Sequence, residues 1–387
     1  MGLQQNNYVC DFYTSFWYKP KTFPFNMLSI LPKSIQVKLE SEFKKRYHEG
    51  LNKITIYQNP WFEFLREISD KLMGQRFSEQ MQFQRDRIHD RWVTGFIDKK
   101  YSMVIGYEET CLQTFRKAKS KGIITVLDLA QVHYQEIELI AAKYKAFGKI
   151  YSNRKLRDKI NKIKEEELRL ADYIICLSEF AKETLIMRGF SKERIFVANL
   201  GFDPLSFSPK TSYSKSGKLK VLFAGTLTGR KGIDLLLKAS RDLNEFMELI
   251  LVGPMADAEE LLNQYQGYYT WHPFSDHAGL NKLLSQSDLF AFPSYLDSWA
   301  MVVVEAMACG LPVIISENTG AKTAVVDGSG FVIPTGNGEI LKDKITYFYK
   351  NREALEVMGK NAAIASLNFT WNNYYERINK IAEKLNH

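Results

Sequence analysis

The segment from Ala291 to Ile314 constrains the fold of this 387-residue chain more than any other stretch. A short apolar strand pattern over residues 289–292 stops at a Pro-Ser turn, and a helical pattern then runs from Met301 to Cys309. A glycine and a proline end that helix, and a β-branched strand pattern begins at once at Val313. A strand, a helix and a second strand at this spacing predict a βαβ crossover of a parallel sheet.

Two acidic residues lie in that crossover. Asp297 is in the loop before the predicted helix, and Glu305 follows eight positions later inside it. Since the first turn of a helix has unpaired backbone N–H groups, those from Ser298 to Met301 can hold an anion above them. The carboxylate of Glu305 can accept hydrogen bonds from two neighbouring hydroxyls. An anion and a diol at this separation describe the diphosphate and the ribose of a nucleotide.

The segment resembles the E-x7-E signature of retaining glycosyltransferases of family 4, the glycosyltransferases of group 1, which have the GT-B fold. In that family the first acid and the backbone after it hold the donor sugar, and the second acid holds the ribose. The resemblance therefore implies ribose binding by Glu305, and sugar binding by Asp297, Ser298, Trp299, Ala300 and Met301. Asp297 stands for the usual glutamate and Ser298-Trp299-Ala300 for the usual Gly-Phe-Gly, which bears on which hexose fits. The alternative is an ordinary crossover with both acids solvated at the surface.

A second loop, Gly225-Thr-Leu-Thr-Gly-Arg-Lys-Gly232, follows the apolar strand pattern Leu219–Ala224 and leads into a helix. Glycine permits close approach of a ligand to the backbone. Arg230 supplies a bidentate fork and Lys231 a point charge, which suits a diphosphate whose charge rises as the bond to it breaks. The family has its diphosphate-binding Arg-Lys pair here, so the resemblance implies diphosphate binding by Gly225, Thr226, Arg230 and Lys231. We expect both basic side chains to be exposed in a cleft; the alternative is a merely basic helix N-terminus, which the helix dipole disfavours.

His133 is the candidate catalytic residue of the first half. It follows a strand pattern that runs into a loop, and ligands of open α/β sheets bind at the carboxyl ends of strands. Some relatives carry a loop histidine at about this place, near the reacting sugar. Asp128 and Glu136 are candidates for orienting it or for contacting acceptor hydroxyls, and a surface histidine is the alternative. Asp297, Arg230 and Lys231 complete the predicted catalytic set.

No Asp-x-Asp metal motif occurs in the chain. The charge of a diphosphate leaving group must then be neutralised by Arg230, Lys231 and the helix N-terminus, so we expect neither a metal site nor a cofactor. The expected substrate is a nucleotide-sugar donor of the UDP or GDP type. The mechanism usually favoured for the family needs no general base, because the leaving phosphate oxygen accepts the acceptor's proton on the same face.

Alternating strand and helix patterns over residues 219–351 predict a parallel, doubly wound sheet. With the resemblance, the expected fold class is α/β of the GT-B type, two Rossmann-like doubly wound domains facing across a cleft. The predicted domains are 1–205 on the acceptor side, completed by a C-terminal helix over about 368–387, and 219–367 for the nucleotide sugar. A Ser- and Lys-rich linker joins them over 206–218. No glycine occurs between Gly2 and Gly50, so the family's first βα unit with its Gly-rich loop is expected to be missing, remodelled or replaced by another backbone.

The net charge of +8 is unevenly distributed. Residues 1–200 hold 34 Lys and Arg against 24 Asp and Glu, a net +10, and the remainder of the chain has a net charge of −2. Two basic clusters, Lys38–Lys53 and Lys143–Lys164, also contain aromatic and aliphatic residues, namely Phe43, Tyr47, Tyr144, Phe147, Ile150 and Tyr151. This pattern is typical of a surface that contacts anionic lipid headgroups. A merely solvated helix face is the alternative, and the chain has no recognised nucleic-acid motif.

Four widely spaced cysteines, no apolar run of about 18 residues and no visible secretory signal lead us to expect a cytoplasmic protein. Peripheral contact with the inner face of the membrane is a second expectation. The predicted function is a retaining, metal-independent glycosyltransferase that moves a hexose-type sugar to a hydroxyl of a glycan or lipid-linked saccharide, in polysaccharide or glycoconjugate biosynthesis. The alternatives are a catalytically silent nucleotide-sugar-binding subunit and another GT-B enzyme, such as an epimerase.

Overall fold

The computed structural model describes residues 3, 8–19, 25–30, 32–44, 47, 49–59, 75–148, 153–273 and 275–385. The chain divides into two compact units. The first unit comprises Met1–Leu127, Tyr151–Asp172 and Ile378–His387, and the second comprises Asp128–Ile150 and Tyr173–Arg377. The second unit therefore contains the loop that carries His133 as well as the segment that carries the predicted donor site.

Short strands alternate with helices in the N-terminal half of the chain. They are β1 (Asp11–Thr14), β2 (Thr55–Gln58), β3 (Met103–Tyr107), β4 (Ile124–Leu129), β5 (Tyr173–Cys176) and β6 (Ile195–Val197). Strands β1 and β2 pair in parallel as a sheet of their own, and β5 pairs in parallel with β6. The α-helices are α1 (Lys33–Lys44), α2 (Gln75–Thr94), α3 (Leu112–Ser120), α4 (Tyr134–Lys143), α5 (Arg154–Leu170) and α6 (Glu179–Ile186). Single 3₁₀ turns cover Phe25–Ile30, Glu49–Lys53, Lys145–Phe147 and Lys192–Arg194.

The start of the chain has a strand, β1, followed by aromatic residues. Phe16, Tyr18, Phe25 and Phe43 pack together with ring centroids 5.0 to 6.0 Å apart. Burial of this cluster holds the segment through apolar contact.

The second half of the chain forms a wholly parallel sheet, which the sequence predicted. Its strands are β7 (Leu219–Ala224), β8 (Met247–Val252), β9 (Tyr269–His272), β10 (Leu289–Phe292), β11 (Val313–Ser316) and β12 (Gly330–Ile333). The helices are α7 (Ile233–Asp242), α8 (Glu259–Asn263), α9 (His277–Ser285), α10 (Met301–Ala308), α11 (Gly338–Lys350), α12 (Glu353–Ser366) and α13 (Trp371–Leu385). Three 3₁₀ segments cover Gly229–Lys231, Gly320–Ala324 and Leu367–Phe369. Central strands such as β10 and β11 are buried along their whole length, because helices cover both faces of a parallel sheet.

The strand order fixes where a ligand can bind. The order is β12-β11-β10-β7-β8-β9, so the chain moves outward from β7 in one direction and, from β10, in the other. Strands β7 and β10 are neighbours, with Val221 opposite Leu289. Loops that leave their carboxyl ends depart to opposite faces of the sheet, which leaves a crevice between them. The loop after β7 is Gly225–Gly232, and the loop after β10 is Pro293–Ala300.

Some predicted elements differ in detail. Strand β9 was not predicted, since it lies at the sheet edge and is only partly buried, which removes the apolar run that marks a central strand. The final helix begins at Trp371, later than its aromatic pattern indicated, and α12 precedes it. Residues 206–218 have no helix or strand, as a linker should, yet Tyr213 donates a hydrogen bond to the carbonyl of Gly310 at 3.0 Å. The linker is therefore attached to the second unit.

Candidate active site

The loop after β7 brings the predicted diphosphate residues to the crevice. Gly225 donates its N–H to the carbonyl of Val252 at 2.9 Å, and Thr226 is exposed next to it. Arg230 and Lys231 lie in the 3₁₀ turn, which ends at Gly232. Gly232 has φ = 74°, and a Cβ at this position would lie 2.1 Å from the carbonyl oxygen of Pro293, so only glycine lets the two loops approach this closely.

Hydrogen bonds join this loop to the loop after β10. The carbonyl of Arg230 accepts from the N–H of Tyr295 at 2.9 Å and from the hydroxyl of Ser294 at 3.1 Å. In return the guanidinium of Arg230 donates to the carbonyl of Leu296 at 3.1 Å. The loops after β7 and β10 are therefore joined by hydrogen bonds, and the backbone before Asp297 is held by the backbone and side chain of Arg230.

Lys231 and Asp297 form an ion pair across the same crevice. The Lys231 ammonium bonds the Oδ2 atom of Asp297 and lies 5.1 Å from the ring centroid of Phe292. Only 14% of the Lys231 side chain is exposed. Burial lowers the pKa of Lys231, and the negative charge of Asp297 opposes that shift. The expectation that Arg230 and Lys231 are exposed is therefore wrong, because both are partly buried where the loop packs against its neighbours.

The residues after Asp297 have different roles from one another. Trp299 donates its backbone N–H to Asp297 at 3.0 Å, and its indole N–H to the carbonyl of Leu200 at 2.9 Å. Its side chain is buried beside Phe369, with ring centroids 5.2 Å apart. The side chain of Trp299 therefore stabilises the loop, while its place in the predicted sugar-binding set, which rests on the backbone, stays a prediction.

Ala300 immediately precedes α10 in a left-handed conformation, with φ = 63° and ψ = 70°. For a residue with a Cβ this conformation costs roughly 1–2 kcal/mol. The first N–H groups of α10, beginning at Met301, directly follow this strained residue. Ser298 and Met301 are half-buried beside them. Backbone strain of this kind is concentrated at functional sites, where the surrounding structure enforces it.

Ser178 also holds this loop, and the sequence analysis did not identify it as functional. Its hydroxyl accepts from the N–H of Ala181 as the N-cap of α6 and donates to the carbonyl of Ser298 at 2.6 Å. Gly320 faces the same carbonyl, and a Cβ there would lie 1.9 Å from it. A serine before a helix signals a cap. The sequence contains no comparable signal for the second hydrogen bond, whose partners are 120 residues apart.

Glu305 lies on α10 with 6% of its surface exposed. Burial raises the pKa of this carboxyl group, and the nearby His277 lowers it to a smaller extent. The predicted ribose ligand is therefore a carboxylate held in a poorly hydrated environment, where hydrogen bonds from a diol would replace lost water. A buried carboxylate is costly to the fold unless such partners arrive.

His133 is not at the surface. It is the N-cap of α4, where its Nδ1 accepts from the backbone N–H of Gln135 at 3.3 Å. The backbone N–H of His133 donates to the hydroxyl of Thr184 at 3.0 Å. Only 1% of its surface is exposed. Glu136 pairs instead with Arg188 at 3.4 Å. The burial of His133 contradicts the alternative of a surface histidine, while a catalytic role for His133 stays a prediction.

The basic clusters are only partly at the surface. Lys164 is buried and pairs with Glu108 at 3.1 Å and Glu109 at 2.9 Å. Phe43 and Phe147 are buried, so these aromatic residues do not form an exposed membrane-contacting surface. Lys45, Arg46, His48, Ile150 and Tyr151, which belong to the predicted clusters, lie outside the described residues.

Within the described part of the chain no group of acidic, His and Cys side chains is arranged to hold a metal ion. None of the described helices is both long and apolar enough to cross a bilayer.

Comparison with known proteins agrees with this geometry. The family described as glycosyl transferases group 1 matches residues 207–364, which include both loops and Glu305. A putative colanic acid biosynthesis glycosyltransferase of Escherichia coli is 25% identical over 248 residues, covering 57% of this chain and 61% of that protein. The chain spans about 60% of the length of the curated relatives it matches.

Two solved structures resemble the whole chain. Sucrose-phosphate synthase from Thermosynechococcus elongatus has a TM-score of 0.67 at 17% identity, covering 99% of this chain and 90% of its own. Anabaena HepE in complex with UDP has a TM-score of 0.65 at 17% identity, covering 97% of this chain and 100% of its own. The likeness confirms the GT-B fold that the sequence predicted.

Burial of Glu305 predicts how its removal changes stability. A carboxyl group whose pKa is raised in the folded state destabilises the fold progressively as the pH rises from its ordinary range through the raised value. Glu305→Gln should therefore raise the free energy of unfolding of the ligand-free protein at pH 7.5, measured by urea denaturation, and this advantage should shrink as the pH falls toward about 4.5. Glu248→Gln, at an exposed position of β8, is the matched control and should change little. A variant less stable than the parent at pH 7.5 would show that the charge of Glu305 is already compensated.

Proposed function

We propose that this chain, which belongs to the glycosyl transferases group 1 through residues 207–364, is a retaining, metal-independent glycosyltransferase. It transfers a hexose-type sugar from a UDP- or GDP-type donor to a hydroxyl of a glycan or lipid-linked saccharide. The observation that carries the proposal is the contact between the loops after β7 and β10, which brings Arg230, Lys231 and the start of α10 to one crevice.

The charges of the crevice suit a diphosphate leaving group. Lys231 is a cation with little water around it, so its attraction to an anion is stronger than that of a surface lysine. Arg230 uses one of its N–H groups on Leu296, which fixes the guanidinium plane while further donors remain for phosphate oxygens. As the bond to the sugar breaks, charge grows on the diphosphate, and donors already in place stabilise that charge without reorganisation.

Asp297 acts by orienting its neighbours. It positions the Lys231 ammonium and the backbone N–H of Trp299 at once, so one carboxylate fixes both the cation and the loop that leads into α10. Glu305 then holds the ribose diol from within the helix. In this arrangement the leaving phosphate oxygen takes the acceptor's proton on the same face of the sugar, which gives retention without a protein base.

The relatives support the substrate class. The HepE structures contain UDP, UDP with glucose, and UDP-glucose, and the Escherichia coli relative is named for colanic acid biosynthesis. We therefore propose a nucleotide-sugar donor and a role in polysaccharide or glycoconjugate biosynthesis. The atypical start of the first unit, where the apolar cluster of Phe16, Tyr18, Phe25 and Phe43 follows β1, leaves a second candidate, a nucleotide-sugar-binding subunit without turnover.

A transfer assay separates these candidates. Purified protein should hydrolyse or transfer the sugar of a UDP- or GDP-sugar in excess EDTA, because the proposed site neutralises the diphosphate with its own cations. Lys231→Ala should lower kcat/KM for the donor at least about tenfold, since a charge-assisted hydrogen bond is worth about 1.5–3 kcal/mol. Lys342→Ala breaks the 3.1 Å pair of Lys342 on α11 with Asp242 on α7 and serves as the control, with activity like the parent.

Three results count against the proposal. Turnover that requires magnesium or manganese would remove metal independence, and a fully active Lys231→Ala variant would remove the diphosphate assignment. Tight binding of nucleotide with no turnover of any donor would instead identify the silent subunit.

We also propose that the first unit contacts an anionic membrane that carries the acceptor. Lys155, Lys159 and Lys162 are exposed on α5 at a spacing that places them on one face. A basic residue near an anionic membrane contributes about 1 kcal/mol to binding. The exposed lysines support this proposal; the buried aromatic residues of the clusters do not.

Vesicle co-sedimentation tests the membrane contact. The parent protein should bind anionic vesicles at low salt and neutral vesicles little, and replacing all three lysines of α5 by Glu should abolish the difference. Binding should also weaken as salt rises, since the Debye length falls from about 10 Å at 0.1 M to about 3 Å at 1 M. Equal, negligible sedimentation with both vesicle types would rule the contact out.

A further inference from the structure

The segment after α4 lies against the donor loops. Tyr144, which directly follows the helix, donates its hydroxyl to the carbonyl of Thr335 at 3.0 Å. Its ring packs on Tyr295 with centroids 4.8 Å apart, and it leaves no room for a side chain at Gly336, where a Cβ would lie 2.6 Å from the ring. One half-buried tyrosine therefore contacts the loops that follow both β10 and β12.

Tyr295 in turn is hydrogen-bonded to the loop after β7 and to the helix that follows it. Its N–H donates to the carbonyl of Arg230 at 2.9 Å, and its hydroxyl donates to the carboxylate of Asp234 at 3.1 Å. Burial and the charge of Asp234 both raise the pKa of Tyr295, so its phenol stays protonated and keeps donating. The ring against which Tyr144 packs is thus attached at two points to the region that holds Arg230 and Lys231.

The next residues of the segment contact the same loop directly. Ala146 has its carbonyl oxygen so close to Gly229 that a Cβ there would lie 1.9 Å from it. Asp257 accepts the N–H of Gly229 at 2.9 Å and lies beside Gly148 as well. Gly229 opens the 3₁₀ turn that contains Arg230 and Lys231, so the segment from Tyr144 to Gly148 packs on the start of the diphosphate loop.

We propose that Tyr144 is a positioning residue of the donor site, which holds the loops after β7, β10 and β12 in the arrangement that receives the diphosphate. This inference rests on the proposed function. Tyr144 is not itself one of the residues proposed to bind the sugar or the diphosphate. It acts through its contacts with Tyr295 and with the backbone at Thr335. Loops that are already ordered lose less conformational freedom when ligand binds, so removing the tyrosine weakens nucleotide binding as well as the fold.

Nucleotide titration calorimetry with UDP and GDP on matched variants tests the proposal. Tyr144→Phe removes only the hydrogen bond to Thr335 and should raise the dissociation constant by roughly 2- to 10-fold. Tyr144→Ala also removes the ring and should raise it at least about tenfold. The control is Tyr213→Phe, which removes an equal hydroxyl-to-carbonyl bond of 3.0 Å at Gly310, beyond the far end of α10, and should bind like the parent.

A second measurement keeps this inference separate from the proposed function. In the ligand-free protein, Tyr144→Ala should accelerate amide hydrogen exchange in residues 225–232 and 295–300, while Tyr213→Phe should not. If the parent protein binds no nucleotide, the proposed function fails, and the exchange measurement still decides whether Tyr144 holds the loops. Unchanged exchange in both segments, or Tyr144 variants that bind nucleotide as the parent does, would overturn the inference.

Discussion

The contact between the loops after β7 and β10 is the constraint on which the site depends. Loops that leave two neighbouring parallel strands toward opposite faces of a sheet produce a crevice, but contacts between the loops are needed before that crevice can hold a ligand. Here the carbonyl of Arg230 and the ion pair of Lys231 with Asp297 provide these contacts. The contact requires glycine at position 232, since any Cβ would meet the carbonyl of Pro293. The position of the charged residues in the crevice therefore depends on this close approach of the two loops.

Two features beside these loops lower the stability of the ligand-free fold. Ala300 is in a left-handed conformation, and Glu305 is a buried carboxylate whose pKa burial raises. Neither feature benefits the ligand-free fold. Both place groups where a nucleotide would need them, namely backbone N–H groups at the start of α10 and an acceptor one turn further in. Surrounding hydrogen bonds, including that from Ser178 to the carbonyl of Ser298, hold the strained loop in place.

The sequence predicts the sheet of the second half well, because its central strands are buried on both faces and therefore appear as uninterrupted apolar runs bounded by glycine and proline. It also predicts Arg230, Lys231, Asp297 and Glu305 as site residues, because the segments that carry them resemble the motifs of the family. The burial of these residues was not predictable, as it depends on which loops meet in space.

Longer-range contacts were hidden for the same reason. Tyr144 and Thr335 are 191 residues apart, and no local pattern connects them. His133 lies after a strand, as predicted, but a cap position and packing against Phe190 bury it, and neither is visible in a loop sequence. Strand β9 was missed because an edge strand has one unpaired side and no need of a continuous apolar run. Local patterns thus predict the segments of the candidate site, while tertiary packing determines which of their side chains are buried.

The central claim is that the crevice recognises a diphosphate, and comparing nucleotide affinities tests it most directly. Isothermal titration should be run with UDP and GDP, and the tighter of the two should then be compared with its own monophosphate at the same salt concentration. The second phosphate would meet Lys231, Arg230 and the start of α10, so the diphosphate should bind at least about tenfold more tightly. Equal affinities for the diphosphate and the monophosphate would contradict the claim.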